Sequence, residues 1–130
     1  MKKLPIFIAI MFIISLGACK KEGCLAGKGG NVNLIIHPQH HGDAIPGSTA
    51  YIEFNTQSNA GASSNYDLTV QGDPSEEHIH VNGLRCGEYY IYCVGFDSTS
   101  NGGQTVFGGI PFVIKSNQTG DVTIHVPVTE

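Results

Sequence analysis

Residues 78–95, HIHVNGLRCGEYYIYCVG, constrain the fold of this chain more than any other stretch. The first four residues alternate between polar and apolar side chains, with the period of two that is typical of a half-buried strand. The Asn-Gly pair at 82–83 is a turn signal. Residues 89–94, YYIYCV, form the most β-prone run in the sequence. The segment therefore predicts two strands joined by a tight turn, and the rest of the chain must be arranged around them.

Further short runs with the same alternation occur on both sides of this unit, separated by clusters of Gly, Pro, Asn, Asp and Ser. Helical periodicity of useful length is not seen in the sequence. Pro111, near the start of the sixth strand, indicates an edge position. The pattern predicts an all-β fold, a seven-stranded antiparallel or mixed β-sandwich. The predicted strands cover residues 31–37, 48–54, 66–71, 78–81, 89–94, 110–115 and 121–128.

The N-terminus has the organisation of an export signal. Two lysines precede an apolar run over residues 4–16, which is shorter than the roughly 20 residues that a membrane span needs. The run ends in Leu16-Gly17-Ala18-Cys19, which resembles the lipobox of bacterial lipoproteins. The resemblance implies a signal peptide over residues 1–18, a lipid on Cys19 and anchoring to a membrane of the bacterial cell envelope, either periplasmic or surface-exposed. The alternative is an ordinary secretory signal followed by a chance cysteine.

Residues 19–30, CKKEGCLAGKGG, are small, polar and rich in glycine, and they predict a flexible tether ahead of a single domain over residues 31–130. From Cys19 onwards the chain has five of the seven Lys and Arg residues and all eleven Asp and Glu residues, so its formal charge is 5 − 11 = −6 with His neutral. The acidic residues are scattered, which indicates a solvated surface. Such a charge argues against nucleic acid as a partner.

The order of motifs also resembles a known fold family, the transthyretin-like (prealbumin-like) sandwich of carboxypeptidase regulatory-type domains. The first motif of that family is matched by Ile45-Pro46-Gly47 and Ala50, and the second by Val81, Gly83, Leu84, Gly87 and Tyr89. Two departures are a cysteine, Cys86, where proline is usual, and Glu76-Glu77-His78 in place of a T-x-x-x-G segment. The resemblance implies this sandwich over residues 31–128. Because the fold is used as a spacer, an adhesin stalk, a carbohydrate-binding accessory and a carrier, the expected function is a non-catalytic binding or structural module.

Histidine is unexpectedly frequent. In the transthyretin-like arrangement the first, fourth and seventh strands share a sheet, so alternation predicts several histidines on one outer face, with others on the adjacent loop. A cluster of neutral imidazoles suits zinc or copper, so a metal-binding protein is the second functional hypothesis. Isolated surface histidines and a pH-sensitive patch are the alternatives. The predicted face holds His37, His78, His80 and His125, and the loop holds His40 and His41.

Three cysteines remain after Cys19. Cys86 lies in the turn between the fourth and fifth strands, at the end of the sandwich where the first strand starts, so a Cys24–Cys86 disulfide is expected in an exported protein. Cys93 alternates inward and is expected to be a buried thiol. A catalytic cysteine would need exposure and an activating base, neither of which the sequence shows.

The tyrosines of the fifth strand divide between its two faces. Tyr90 and Tyr92 are predicted to point outward, with Tyr51 or Tyr66 nearby, where aromatic rings either bind a sugar or peptide or form cross-strand packing pairs. The sequence contains no G-x-S-x-G, H-E-x-x-H or phosphate-loop motif. We therefore do not expect an enzyme. The expected partners are the membrane, through the lipid anchor, and an envelope protein or glycan, and Zn or Cu is the only cofactor considered.

Overall fold

A computed structural model of the chain describes residues 23–59 and 65–130. All of its regular structure is β, in agreement with the predicted class. The predicted signal peptide over residues 1–18 and Cys19, the predicted lipidation site, lie outside the described residues. In the described part, no helix is long and apolar enough to cross a membrane. The strands are β1 Lys28–His40, β2 Asp43–Ala44, β3 Thr49–Phe54, β4 Leu68–Gln71, β5 Ile79–Leu84, β6 Gly87–Asp97, β7 Gln104–Ile114 and β8 Gly120–Pro127.

The strands form two four-stranded sheets. In the first sheet, β1 pairs antiparallel with β2 and β5 and parallel with β8, so this sheet is mixed. The second sheet has the order β4-β3-β6-β7 and is antiparallel. The predicted first, fourth and seventh strands correspond to β1, β5 and β8, and the prediction that they share a sheet is confirmed. Their register fixes which side chains stand beside one another on the outer face.

The core lies between the inward faces of the two sheets. Leu34 and Ile36 of β1 and Ile52 of β3 are fully buried, and burial alternates residue by residue over residues 32–40 of β1 and 87–94 of β6. This alternation is the period of two on which the sequence prediction rested. Tyr89 is also fully buried, and its ring packs edge-on against Phe54 at a centroid distance of 5.6 Å. The architecture is therefore a β-sandwich with a single apolar core.

The count of strands differs from the prediction of seven. The two-residue strand β2 was not predicted, and β7 begins at Gln104, ahead of the predicted sixth strand over residues 110–115. Gly109 is needed inside β7 because a Cβ atom there would lie 2.8 Å from the ring of Tyr90. β7 is the last strand of its sheet, so the prediction that Pro111 marks an edge is confirmed.

The segment predicted to be a tether is partly ordered in the domain. β1 begins at Lys28, three residues before the predicted boundary, and Ala26 belongs to the core. A disulfide joins Cys24 to Cys86 with a Cα–Cα distance of 5.0 Å. The hydroxyl of Tyr89 accepts a hydrogen bond from the backbone N–H of Gly27 at 3.0 Å and donates one to the carbonyl oxygen of Arg85 at 2.6 Å. The chain is therefore fixed to the end of the sandwich from Cys24 onwards.

Candidate functional site

Four histidines lie together on the outer face of the first sheet, and with Glu76 we call them the histidine face. His37 in β1 is directly opposite His125 in β8, and their ring centroids are 5.2 Å apart. On its other side, His37 lies 5.2 Å from His78, whose ring is 4.6 Å from that of His80. The predicted convergence of His37, His78, His80 and His125 is what the structure shows. Three neighbouring strands supply one continuous row of imidazoles.

Glu76 adds a carboxylate that the sequence reasoning did not assign to this face. Its Oε2 atom lies 3.9 Å from Nε2 of His78 and 3.8 Å from Nε2 of His80. These distances exceed hydrogen-bond range, but two ligands of one zinc ion, each bonded at about 2.0–2.1 Å, lie at most about 4 Å apart. One donor atom from each of Glu76, His78 and His80 lies within 4.8 Å of the others. The E-x-H-x-H spacing of residues 76–80 was the signal in the sequence that could have identified Glu76.

The surroundings of His37 favour its neutral form. Partial burial lowers the pKa of His37, and the neighbouring His125 and His78 lower it further, while Glu77 opposes the shift. A positive charge on this ring is unfavourable beside a second one. Neutral imidazole is the form that binds a metal ion, so His37 is suited to be a ligand near neutral pH.

The expectation that His40 and His41 belong to a loop beside this face is wrong for His40. The chain does not turn at Pro38, and β1 continues to His40. Three residues beyond His37 the side chain points to the opposite side of the strand, so His40 faces inward and is only 4% exposed. His41 lies in the following turn, is exposed and has a positive φ of 52°. The ring centroids of His40 and His41 are 4.1 Å apart.

His40 lies between two carboxylates, and we call His40, His41, Asp97 and Glu130 the His40 pocket. Nδ1 of His40 is 2.7 Å from Oδ2 of Asp97, and Nε2 is 3.0 Å from Oε2 of Glu130. The hydrogen bond to Asp97 raises the pKa of His40, and Glu130 raises it further. The same bond lowers the pKa of Asp97, with help from Thr99. Because a carboxylate only accepts hydrogen bonds, Nδ1 donates to Asp97.

Asp97 contradicts the prediction that the acidic residues form a solvated surface. It is only 6% exposed, at the end of β6, and its Oδ1 atom accepts hydrogen bonds from the backbone N–H and the hydroxyl of Thr99 at 2.8 and 2.7 Å. Glu130 is exposed and also accepts a hydrogen bond from Gln104. Asp97 and Glu130 are 57 and 90 residues from His40 along the chain, so no local motif in the sequence could have revealed this pocket.

Cys93 is the free thiol of the described residues. It is fully buried in the core, as predicted, and burial raises its pKa to about 12. A thiol with such a pKa carries almost no thiolate near neutral pH. It therefore does not have the properties of a nucleophile.

An aromatic cluster covers part of the outer face of the second sheet. Tyr66 and Tyr92 are stacked with an interplanar angle of 4° at 6.3 Å, and Tyr51 lies 5.0 Å from Tyr66. Phe107 of β7 adds a ring 6.4 Å from Tyr92 and is 46% exposed. The outward direction predicted for Tyr92 is confirmed. Tyr51 pairs with Tyr92 in the strand register, so cross-strand packing accounts for part of the cluster.

Comparison with protein-family models, with curated proteins and with solved structures finds no match for this chain. Any functional argument therefore starts from the structure itself, which is an all-β sandwich with two groups of histidines near one end of the first sheet.

Proposed function

We propose that the chain is a bacterial lipoprotein of the cell envelope, in which a transthyretin-like sandwich acts as a non-catalytic binding module. The LGAC segment ending at Cys19 supports the anchor. The disulfide between Cys24 and Cys86 supports export, because disulfides persist in the oxidising environment outside the cytoplasm. The shared sheet of β1, β5 and β8 supports the transthyretin-like arrangement.

The ligand that we propose for this module is a transition metal ion, Zn²⁺ or Cu²⁺, bound on the histidine face. The observation that carries this proposal is the spacing of the imidazole row. Two imidazoles on one tetrahedral zinc, with Zn–N bonds of about 2.0–2.1 Å, have ring centroids about 5 Å apart. The centroids of His37 and His78 are 5.2 Å apart, and those of His78 and His80 are 4.6 Å apart. Glu76, His78 and His80 would provide three ligands, with His37 turning its ring to become the fourth.

Calorimetric titration of the full chain in detergent micelles with Zn²⁺ and Cu²⁺ at pH 7.5 tests this proposal. His78→Ala removes the central ligand and should weaken binding at this face by at least tenfold. Glu88→Gln is the matched control, since it changes an exposed side chain on β6, in the other sheet. Binding that His78→Ala and Glu88→Gln leave equally unchanged would refute the proposal.

A second candidate function is recognition of a glycan or an envelope protein by the aromatic cluster. The stacked rings of Tyr66 and Tyr92 and the exposed edge of Phe107 favour it, because pyranose rings and peptide side chains pack on such surfaces. Titration of the protein with soluble envelope oligosaccharides, compared with Tyr92→Ala, is the test. An unchanged affinity in the variant would exclude the cluster as the binding surface.

A further inference from the structure

The His40 pocket has features that a structural ion pair does not require. His40 is held by Asp97 through Nδ1, and Asp97 is fixed in turn by three hydrogen bonds from Thr99 and Ser100. This arrangement locks the orientation of the ring. Nε2 donates its proton to Glu130, so an ion that binds to Nε2 must displace that proton into the solvent. A histidine that ligates a metal almost always donates its other ring N–H to a carboxylate, a backbone carbonyl or a water molecule. Asp97 therefore has the position of a carboxylate that hydrogen-bonds to a metal-ligating histidine without touching the metal.

Suitable ligands surround Nε2 of His40. The carboxylate of Glu130 is 3.0 Å away, and one donor atom from each of His40, His41 and Glu130 lies within 4.8 Å of the others. An ion bonded at about 2.0–2.1 Å to two of these atoms fits within such a separation. Glu130 is 62% exposed in its side chain, so it is able to move by the small amount that an ion between the two groups requires.

The pocket is open to solvent. His40 and His41 line a cavity of about 490 Å³ together with His125 and Pro127 of β8 and with Thr129, which follows that strand. An ion is thus able to reach Nε2 although the imidazole itself is buried. Three protein ligands leave a fourth position of a tetrahedral ion for water, as in sites that are not closed by the protein.

A reading of His40 and Asp97 as a catalytic pair finds less support. In a nucleophilic triad, the nitrogen opposite the aspartate accepts the proton of a serine, threonine or cysteine. Here the partner of that nitrogen is the carboxylate of Glu130, and the free thiol, Cys93, is buried in the core.

We propose that His40, His41 and Glu130 form a second binding site for a divalent transition metal ion, with Asp97 as the residue that positions His40. The preferred ions are Zn²⁺ and Cu²⁺, because two imidazoles and one carboxylate are borderline ligands of the kind these ions take. Its ligands differ from those of the histidine face, since His37 and His40 project from opposite sides of β1. His125 of the histidine face also lines the cavity beside His40 and His41.

The test uses the full chain in detergent micelles with Co²⁺, which substitutes for Zn²⁺ and absorbs in the visible range when it is coordinated. We expect wild type to bind two equivalents and His78→Ala to bind one. In the His78→Ala background, Glu130→Gln and His41→Gly should each weaken the remaining equivalent by at least tenfold. Glycine at position 41 adopts the φ of 52° without strain and offers no side-chain ligand. Glu88→Gln, at an exposed carboxylate on β6, is the matched control and should leave binding unchanged.

The role of Asp97 has its own readout. Asp97→Asn should lower the Co²⁺ affinity of the His78→Ala protein by about 10–100-fold and change the absorption of the bound ion. Circular dichroism of the metal-free variant verifies that the sandwich is retained. If Asp97→Asn does not fold, the exposed variants Glu130→Gln and His41→Gly decide the question without it.

Two results would overturn the second site. One is a His78→Ala protein that binds no metal, and the other is a remaining equivalent that neither Glu130→Gln nor His41→Gly weakens. If the histidine face does not bind metal, the result is different. Wild type then binds one equivalent of Co²⁺, which Glu130→Gln removes and His78→Ala leaves in place. Each proposal is therefore able to fail alone.

Discussion

Removal of the Cys24–Cys86 disulfide should destabilise the domain by raising the conformational entropy of the unfolded chain. The bridge closes a loop with a sequence separation of 62 residues. The loop-closure entropy of a cross-link over about 62 residues corresponds to about 4 kcal/mol at 25 °C. Little native structure should be lost with it, because other contacts hold the same segment in place. Arg85 donates its backbone N–H to the carbonyl oxygen of Gly27 at 2.8 Å, next to the bridge.

The assay is equilibrium urea denaturation of wild type and of the Cys24→Ser/Cys86→Ser double variant, followed by far-UV circular dichroism. We expect the free energy of unfolding to fall by about 4 kcal/mol in the double variant. The single variant Cys24→Ser, which also lacks the bridge, and wild type treated with a reductant should show the same loss. A difference below about 1 kcal/mol would refute the argument, since it would mean that the unfolded chain is not restrained by the cross-link.

Three further outcomes are expected. Tyr89→Phe should cost about 1–3 kcal/mol of unfolding free energy in urea, because it leaves buried partners of the hydroxyl at Gly27 and Arg85 unpaired; an unchanged midpoint would contradict this. The pKa of His37 is lowered from 6.5 in the folded state, so its contribution to the free energy of unfolding is present above pH 6.5 and is lost as the pH falls through the folded pKa. With a chelator present, His37→Gln should therefore lose less stability than wild type between pH 7.5 and 5. Equal losses would speak against it. Cys93 should react with iodoacetamide at pH 7.5 far more slowly in the native protein than in urea, and equal rates would show that it is accessible.

Part of the histidine face was accessible to sequence reasoning. Alternation along each strand decides which side chains face outward. The placement of His37 beside His125 also needed the order of the strands, which came from the resemblance to the transthyretin-like arrangement and not from a local pattern. Glu76 was missed because it precedes β5, where strand alternation does not place a side chain.

The His40 pocket was not accessible in the same way. Pro38 signals the end of a strand, yet β1 continues through it. The carbonyl oxygen of Pro38 accepts a hydrogen bond from the N–H of Ile45, beyond the short strand β2. The missing N–H of the proline would face the same residue, and the carbonyl oxygen of Ile45 instead accepts a hydrogen bond from the hydroxyl of Ser48 at 2.7 Å. With the strand extended, His40 turns inward. Its partners at 97 and 130 are placed by the packing of the sheets and not by any spacing in the sequence.

The length of β1 sets how far the two proposed metal sites would lie from the proposed lipid anchor. The strand begins at Lys28, close to the disulfide, and ends at His40, and its 13 residues span about 40 Å at about 3.3 Å per residue. In a chain anchored at Cys19, with the domain upright, both groups of histidines stand near the end remote from the lipid. The Debye length at physiological ionic strength is only about 8 Å, so the attraction of anionic head groups for cations has decayed at that height. The sites would therefore sample the free metal concentration of the surrounding fluid and not the enriched layer at the bilayer surface.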